Sequence, residues 1–156
     1  MKRIMVIGPV GSGKTSLLMA LNGESGKTVK TQTLMYTAFT IDTPGEYAEN
    51  PRMYKALLAT APEAECILFT QDSTANHTVF PPGFAGSFNR MSIGVVTKTD
   101  HESSDGENAE NHLRKLCLKG PIFKVSAHTG EGIETLKGYI GSVCKKVDET
   151  HCKEGI

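Results

Sequence analysis

The sequence lacks an excess of charge of either sign, because 17 basic residues balance 17 acidic ones in a chain of 156. Balanced charge gives no electrostatic basis for binding nucleic acid or an anionic membrane. Also missing is an apolar run of membrane-spanning length. Met1 leads directly into the first apolar run, which leaves no room for a secretory signal. We therefore expect a cytoplasmic protein with neither nucleic acid nor a membrane as its partner.

Paired metal-binding motifs are missing as well. The four cysteines form no C-x-x-C pair, and the five histidines show no ligand spacing. This pattern favours reduced thiols over a disulfide framework or a zinc site. A chain of this length can bury one sizeable core. We expect a single domain over residues 1–146 and a C-terminal tail over residues 147–156.

The most specific pattern present is a glycine-rich stretch that begins at Gly8 and reads Gly-Pro-Val-Gly-Ser-Gly-Lys-Thr. It fits G-x-x-x-x-G-K-[ST], with a short apolar run before it and a helical pattern after it, so a chance match is disfavoured. The glycines let the backbone curl around a phosphate, so that N–H groups and the positive end of a helix dipole point at the anion. The predicted phosphate-binding residues are Gly11, Ser12, Gly13, Lys14, Thr15 and Ser16.

Two side chains of this stretch have distinct predicted roles. Lys14 supplies a positive charge to the outer phosphates, and we expect it to face solvent when no ligand is bound. Thr15 supplies a hydroxyl ligand for Mg²⁺. Both roles require a nucleotide or another polyphosphate as the ligand.

Strands alternate with helices along the chain. Strands are predicted at residues 4–7, 66–70, 91–97 and 122–125, and helices at residues 16–22, 51–61, 107–118 and 133–147. Residues 33–42 allow two interpretations, a small antiparallel hairpin or one strand entering from the preceding loop. The alternation predicts an α/β fold with a mainly parallel sheet of five strands, an optional short antiparallel edge strand and helices on both faces.

Polar segments follow two further predicted strands. Asp42, in Asp-Thr-Pro-Gly, closes the strand after the glycine-rich stretch, where its carboxylate can hold Mg²⁺ opposite Thr15. Gly45 offers a backbone N–H to a terminal phosphate. A second segment, Thr97-Lys98-Thr99-Asp100, ends another strand. Each segment alone reads as an ordinary turn, but parallel sheets bind ligands at the C-terminal ends of their strands, so their order predicts a nucleotide site.

Together these motifs resemble those of the Ras-like, translation-factor-related small GTPases. Within that superfamily the chain is similar to the EutP and PduV family of ethanolamine and propanediol utilisation, at residues 8–15, 30–32, 41–47, 80–84 and 94–100. The intact glycine-rich loop favours the ethanolamine branch. The resemblance implies a Ras-like P-loop fold and a bacterial setting, cytoplasmic or associated with a microcompartment. Shell or pathway proteins would then be partners of a monomer or weak dimer.

The resemblance also implies how the base is bound. Lys98, which follows Thr97 in the motif, would lay its stem along the purine, and a partly buried Asp100 would accept hydrogen bonds from guanine N1–H and the 2-amino group. Adenine lacks these donors, so GTP and GDP are preferred, with ATP as the alternative. Ser126 and Ala127 resemble the motif whose backbone N–H meets the guanine oxygen, although His128 stands where a lysine is usual.

For the metal, the resemblance points to a threonine of the loop before Asp42. Thr31 is the candidate that joins the Mg²⁺ shell when the terminal phosphate is present, and Thr28 and Thr33 are alternatives. This loop contains no arginine to stabilise a transition state. Glu46 stands where many hydrolytic relatives carry a glutamine, and a carboxylate there would slow hydrolysis unless it turns away or acts as a base. We predict slow turnover, with Lys14 and Glu46 as catalytic candidates.

Three function classes are compatible with these features. The preferred one is a Mg²⁺-dependent GTPase that acts as a switch or assembly factor of a metabolic compartment. The second is a phosphotransferase of acetate kinase type, using ATP or GTP, in which Glu46 and the loop 80–84 shape a pocket for a small carboxylate. The third is a nucleotide-binding interaction module without turnover.

Overall fold

Short runs of branched and aromatic residues form the strands of one sheet. The computed structural model describes residues 3–21, 35–36 and 40–154. The strands are β1 (Ile4–Ile7), β2 (Met35–Tyr36), β3 (Thr40–Asp42), β4 (Cys66–Asp72), β5 (Met91–Thr97) and β6 (Ile122–Lys124). Their order is β2-β3-β1-β4-β5-β6. Neighbouring strands from β3 to β6 run parallel, and only the edge strand β2 is antiparallel to its neighbour among the described strands.

The predicted sheet of five parallel strands with a short antiparallel edge strand is therefore confirmed. Of the two interpretations of residues 33–42, the hairpin is correct, because Met35 pairs with Asp42 and Tyr36 pairs with Ile41. The side chains of β1 alternate between the two faces, and those of Met5, Val6 and Ile7 are all buried. A strand buried on both faces reads as a continuous apolar run, which is why the parallel strands were visible in the sequence.

Helices cover both faces of the sheet. They are α1 (Lys14–Leu21), α2 (Gly45–Glu49), α3 (Tyr54–Thr60), α4 (Gly106–Arg114) and α5 (Ile133–Glu154). Leu17 of α1 and Leu136 of α5 pack with Val6 on one face. Leu57 of α3 and Leu113 of α4 pack on the other, in the cluster that contains Met5 and Ile7.

Several predicted boundaries are wrong, each for a local reason. The helix predicted at residues 51–61 starts as a 3-10 turn at Pro51–Met53, and α2 precedes it. The helix α4 ends at Arg114 and not at residue 118, and beyond it Cys117 adopts a φ of 62°, which a helix cannot accommodate. The last helix, predicted to end at residue 147, continues to Glu154 as α5, and no proline or glycine interrupts residues 142–154.

The two phenylalanines of the loop 80–84 belong to the core, whereas Pro81 and Pro82 are exposed. The rings of Phe80 and Phe84 are buried and lie 5.7 and 6.0 Å from the ring of Phe69 in β4. Edge-to-face packing of this kind stabilises aromatic clusters. The two rings are therefore used in the core, and not in a pocket for a small carboxylate as the prediction had it. Within the described residues, no helix is both long and apolar enough to cross a bilayer.

Candidate nucleotide-binding site

The glycine-rich loop connects β1 to α1 and is held from behind. Gly11 and Gly13 have φ angles of 77° and 90°, in the left-handed region that favours glycine. The Ser12 N–H donates to the Pro9 carbonyl at 3.1 Å, and the buried Ser12 hydroxyl is hydrogen bonded to the hydroxyl of Thr70 in β4 at 2.9 Å. The loop leads into the N-terminus of α1, where unpaired N–H groups and the helix dipole favour an anion.

Lys14 closes this loop on itself. Its Nζ donates to the Pro9 carbonyl at 3.1 Å, and the side chain is only 7% exposed, so the expectation of a solvent-facing lysine is wrong. Burial lowers the pKa of Lys14, while the negative charges of Asp42, Glu46 and Glu49 raise it. The ammonium therefore lies inside the loop, within electrostatic reach of three carboxylates.

Thr15 and Asp42 are brought together as predicted. Asp42 ends β3 opposite Val6 of β1, and its Oδ2 accepts a hydrogen bond from the Thr15 hydroxyl at 2.8 Å. A hydroxyl and a carboxylate side by side are the hard oxygen ligands that Mg²⁺ prefers. These two residues fit the ion and would hold it. Thr31, Thr28 and Thr33 lie outside the described residues.

The N-terminus of α2 lies directly on the glycine-rich loop. A Cβ added to Gly45 would lie 2.6 Å from Val10 Cα and 2.7 Å from the Pro9 carbonyl carbon, so only glycine fits this contact. One turn later, Glu49 accepts a hydrogen bond from the Val10 N–H at 3.2 Å. Between them, Glu46 is half-buried and acts on the Lys14 ammonium. The fold thus places Gly45 and Glu46 beside the predicted phosphate site.

A cavity of about 130 Å³ opens on the other side of the loop, between α1 and the turns after β5 and β6. Its lining consists of Gly13, Ser16, Leu17, Thr97, Lys98, Asp100, Val125, Ala127 and His128. The cavity joins the first turn of α1 to both segments that were predicted to bind the base. Ser16, predicted as a phosphate residue, faces this cavity.

The two charged residues of this cavity are held differently. Lys98 Nζ donates to the Gly11 carbonyl at 2.6 Å and to Asp72 Oδ2 at 2.8 Å, so its side chain bridges to the loop. Asp100 Oδ1 accepts a hydrogen bond from the Ser126 hydroxyl at 2.8 Å, which lowers the pKa of Asp100. Asp100 is exposed and not partly buried as expected, because it lies in a turn beyond the end of β5.

The structure gives Thr97 and Ser126 supporting positions. The Thr97 hydroxyl donates to the Ser12 carbonyl at 2.6 Å, which ties β5 to the glycine-rich loop. The Ser126 N–H donates to the Glu131 carbonyl at 2.9 Å, so this N–H is already used. Of the two residues predicted to meet a guanine oxygen, Ala127 lines the cavity and Ser126 does not.

Two residues of the site were missed by reasoning from sequence. Asp72 lies two residues beyond the predicted end of β4 and pairs with Lys98. Glu49 lies in a helix, α2, that was not predicted. A signal existed for Asp72, since polar residues directly after a buried parallel strand lie at the ligand edge of the sheet. Glu49 had no such signal, because its role depends on where α2 packs.

Comparisons with known proteins agree with this architecture. The PduV-EutP family, described as ethanolamine utilisation - propanediol utilisation, matches residues 1–142. The chain is 51% identical over 136 residues to the propanediol utilization protein PduV of Citrobacter freundii, covering 87% of this chain and 91% of that protein. It is 31% identical over 151 residues to the probable acetate kinase EutP of Salmonella typhimurium (strain LT2), covering 96% and 95%.

Among solved structures, the bacterial selenocysteine-specific elongation factor EF-Sec is similar, with a TM-score of 0.68 and 27% identity. The match covers 94% of this chain but only 29% of that longer one. The higher identity to PduV corrects the expected preference for the ethanolamine branch, which had relied on the intact loop alone. The chain is a Ras-like P-loop protein and belongs to the ethanolamine utilisation and propanediol utilisation family.

Proposed function

We propose that the chain binds GTP and GDP with Mg²⁺ and hydrolyses GTP slowly. The observation that carries this proposal is the cavity in which Asp100 stands beside Lys98 and Ala127. Guanine presents N1–H and its 2-amino group side by side, and one carboxylate can accept from both. Asp100 keeps acceptor capacity for them, since a carboxylate offers about four lone-pair sites and Ser126 uses one. Adenine has no donor pair at this edge, so guanine is favoured over adenine.

The phosphates would lie on the other side of the same loop. Backbone N–H groups from Gly11 to Ser16, other than that of Ser12, which donates to the Pro9 carbonyl, would contact their oxygens. Lys14 would supply positive charge. Thr15 and Asp42 would hold Mg²⁺, with Thr31 as a further ligand when the terminal phosphate is present. Bound there, the ion neutralises charge on the phosphate oxygens. Gly45 would offer its N–H to the terminal phosphate from the start of α2.

Slow hydrolysis follows from the charges around Lys14. Asp42, Glu46 and Glu49 all act on its ammonium, so a triphosphate enters a region that already contains three carboxylates. Glu46 replaces the amide side chain that orients the attacking water in many hydrolytic relatives. Lys14 offsets part of this negative charge, and the metal ion would add to its effect.

A phosphotransferase of acetate kinase type, using ATP or GTP, is the second candidate. The observation in its favour is the printed name of the EutP relative, probable acetate kinase. The charge of the site argues against it. A second cavity beside the loop, of about 170 Å³, is lined by the carboxylates of Glu49 and Asp72, which disfavour an acetate anion. The aromatic residues of the loop 80–84, which were expected to help shape an acceptor pocket, are buried in the core.

The family also supports a biological setting. We infer that the protein works in the bacterial cytoplasm, in ethanolamine or propanediol utilisation, with microcompartment shell or pathway proteins as partners. The support is the family match over residues 1–142 and the 51% identity to PduV. The nucleotide would then control such a partner through α2, which contacts the phosphate loop at Gly45 and Glu49.

The decisive experiment resolves the reaction products. The protein is incubated with GTP or ATP and Mg²⁺, with and without acetate, and free phosphate is separated from acetyl phosphate. Slow release of phosphate from GTP, unchanged by acetate, is the expected result. Acetyl phosphate as the product would contradict the proposal in favour of the phosphotransferase. Nucleotide binding without any product would identify an interaction module. The Lys14→Ala variant controls for contaminating activity.

A further inference from the structure

Asp72 at the end of β4 is held by hydrogen bonds at both carboxylate oxygens. Oδ1 accepts from the Thr74 N–H at 2.8 Å and from the Thr74 hydroxyl at 2.6 Å. Oδ2 accepts from Lys98 Nζ at 2.8 Å. Burial alone would raise the pKa of Asp72, but the hydrogen bonds from Lys98 and Thr74 outweigh it, so this pKa is lowered. The carboxylate is therefore ionised and fixed in orientation.

The partner of this carboxylate, Lys98, is fixed at both ends. Its backbone has a φ of 59°, which is uncommon for a residue other than glycine and needs support from its surroundings. Ser73 gives that support, since its hydroxyl donates to the Lys98 carbonyl at 3.0 Å and its N–H donates to the Thr97 carbonyl at 3.2 Å. At the other end, Nζ is held between Asp72 and the Gly11 carbonyl.

A lysine stem has many rotamers, and ordering it on binding reduces affinity. Here the stem is ordered before any ligand arrives, and it lines the base cavity. Asp72 is not among the residues that line that cavity, and it lines the second cavity instead. Its hydrogen bond to Lys98, which does line the base cavity, connects it to that cavity.

We propose that Asp72 is a positioning residue for base recognition. Thr74 orients its carboxylate, the carboxylate holds Lys98 Nζ against the glycine-rich loop, and the lysine stem is thereby laid across the cavity for the purine. This inference rests on the proposed guanine-nucleotide binding. It adds a determinant outside the motifs that contact the nucleotide, at the C-terminal end of β4.

The test is the affinity for GDP of the Asp72→Asn variant. Asparagine keeps the shape and can still accept from Thr74, but it removes the charge opposite Lys98. We expect the dissociation constant for GDP to rise about tenfold, as for the loss of a hydrogen bond between charged groups. The matched control is Glu110→Gln, which likewise removes a paired carboxylate. Glu110 pairs with Arg114 at 2.9 Å and with Lys124 at 3.3 Å, and it does not line the base cavity. Its affinity for GDP should be unchanged.

A double-mutant cycle with Lys98→Met separates positioning from a general effect on the fold. If Asp72 acts through Lys98, Asp72→Asn has no further effect on GDP affinity once the lysine is replaced. The same loss of affinity in both backgrounds would overturn the inference. Should Asp72→Asn fail to fold by circular dichroism, Thr74→Val gives a milder version, with an expected loss of about twofold to threefold.

The outcomes distinguish this inference from the function on which it rests. A wild-type protein that binds no guanine nucleotide would overturn both. A wild-type protein that binds GDP, with unchanged affinity in Asp72→Asn or in its milder substitute, would overturn the positioning role alone.

Discussion

Glu46 lies in the first turn of α2, where its carboxylate acts on the ammonium of Lys14. If it only adds negative charge beside the terminal phosphate, Glu46→Gln removes repulsion and provides an amide that can orient water. We then expect GTP hydrolysis to become modestly faster, measured as phosphate release in single-turnover reactions. Glu107→Gln, in the first turn of α4, is the matched control and should leave the rate unchanged.

The opposite sign would show a different role. If the carboxylate acts as general base or positions an acceptor, Glu46→Gln removes that function, and turnover should fall by about 10²-fold or more. Such a loss would contradict the view of Glu46 as an electrostatic cost. It would also strengthen the phosphotransferase alternative.

Asp100 gives a second prediction at the scale of a residue. In Asp100→Asn, the side chain presents an amide N–H to the base in place of one carboxylate oxygen. We expect GDP to bind about tenfold more weakly or worse, and xanthosine diphosphate, whose C2 carbonyl can accept that N–H, to gain relative to GDP. Competition against a fluorescent nucleotide measures both. An unchanged ratio of the two affinities would remove Asp100 from base recognition.

At this scale the sequence was informative where a motif fixes the chemistry. Lys14, Thr15, Asp42, Gly45 and Glu46 were all named from motifs, and the structure brings them together. The burial of Lys14 could not be predicted, because it depends on a loop carbonyl that the folded backbone places within reach of Nζ. The exposure of Asp100 depends in the same way on a turn outside the strand.

At the scale of elements, the contact between α2 and the glycine-rich loop can be tested with Gly45→Ala. The new methyl group would meet the backbone of Pro9 and Val10, which cannot move aside as a flexible side chain could. We expect the affinity for GTP to fall more than tenfold by calorimetry, because the loop or the helix must shift. Retained affinity would show that this contact is unimportant for the nucleotide.

The matched control for that variant is Gly138→Ala in α5. The site has nothing within 4 Å of the added methyl group, and the residue lies inside a helix. Alanine there should stabilise the protein by about 0.5 to 1 kcal/mol, because glycine is the poorer helix former. Nucleotide affinity should be unchanged. The pair of variants separates a clash at the site from a general effect of the substitution.

Whole elements were easier to predict than their ends. The strands β1, β4 and β5 were found because buried parallel strands are largely apolar runs. The end of β4 was missed because its last residues, Gln71 and Asp72, are polar yet still pair with Val96 and Thr97 of β5. The start of α2 was missed because Pro44-Gly45 is typical of a turn. In the structure a helix begins at Gly45, which packs against the glycine-rich loop.

For the whole molecule, the carboxylates predict how stability depends on pH. The pKa values of Asp72, Asp100 and Glu110 are all lowered. For Asp72, burial is outweighed by hydrogen bonds from Lys98 and Thr74. For Asp100 the cause is a hydrogen bond from Ser126, and for Glu110 it is one from Lys124. A group with a lower pKa in the folded state stabilises the fold above its unfolded pKa, and this is lost as the pH falls through the folded pKa. The free energy of unfolding should therefore decrease below about pH 4.

Urea denaturation between pH 3 and pH 7 measures this dependence. Asp72→Asn should show a shallower decrease in the acid range than the wild type, because one of the responsible groups no longer titrates. An equally steep decrease in the variant would show that the ion pair with Lys98 does not contribute to the pH dependence.

The fold as a whole was predictable because the alternation of strands and helices along the chain and the positions of the site motifs indicate the same architecture. The glycine-rich loop, the end of β3 and the end of β5 must meet at one edge of a parallel sheet, whatever the details of the loops. Which surfaces remain beside that edge was not predictable. The aromatic residues of the loop 80–84 were predicted to line a pocket. They lie in the core instead, where the rings of Phe80 and Phe84 pack against the ring of Phe69.

The central claim, that the site binds guanine nucleotides, is tested most directly by calorimetric titration of the wild-type protein. GDP and ADP are titrated separately in the presence of Mg²⁺, so that hydrolysis does not interfere. The cavity with Asp100 at its rim predicts that GDP binds at least about tenfold more tightly than ADP. Equal affinities, or tighter binding of ADP, would contradict the account.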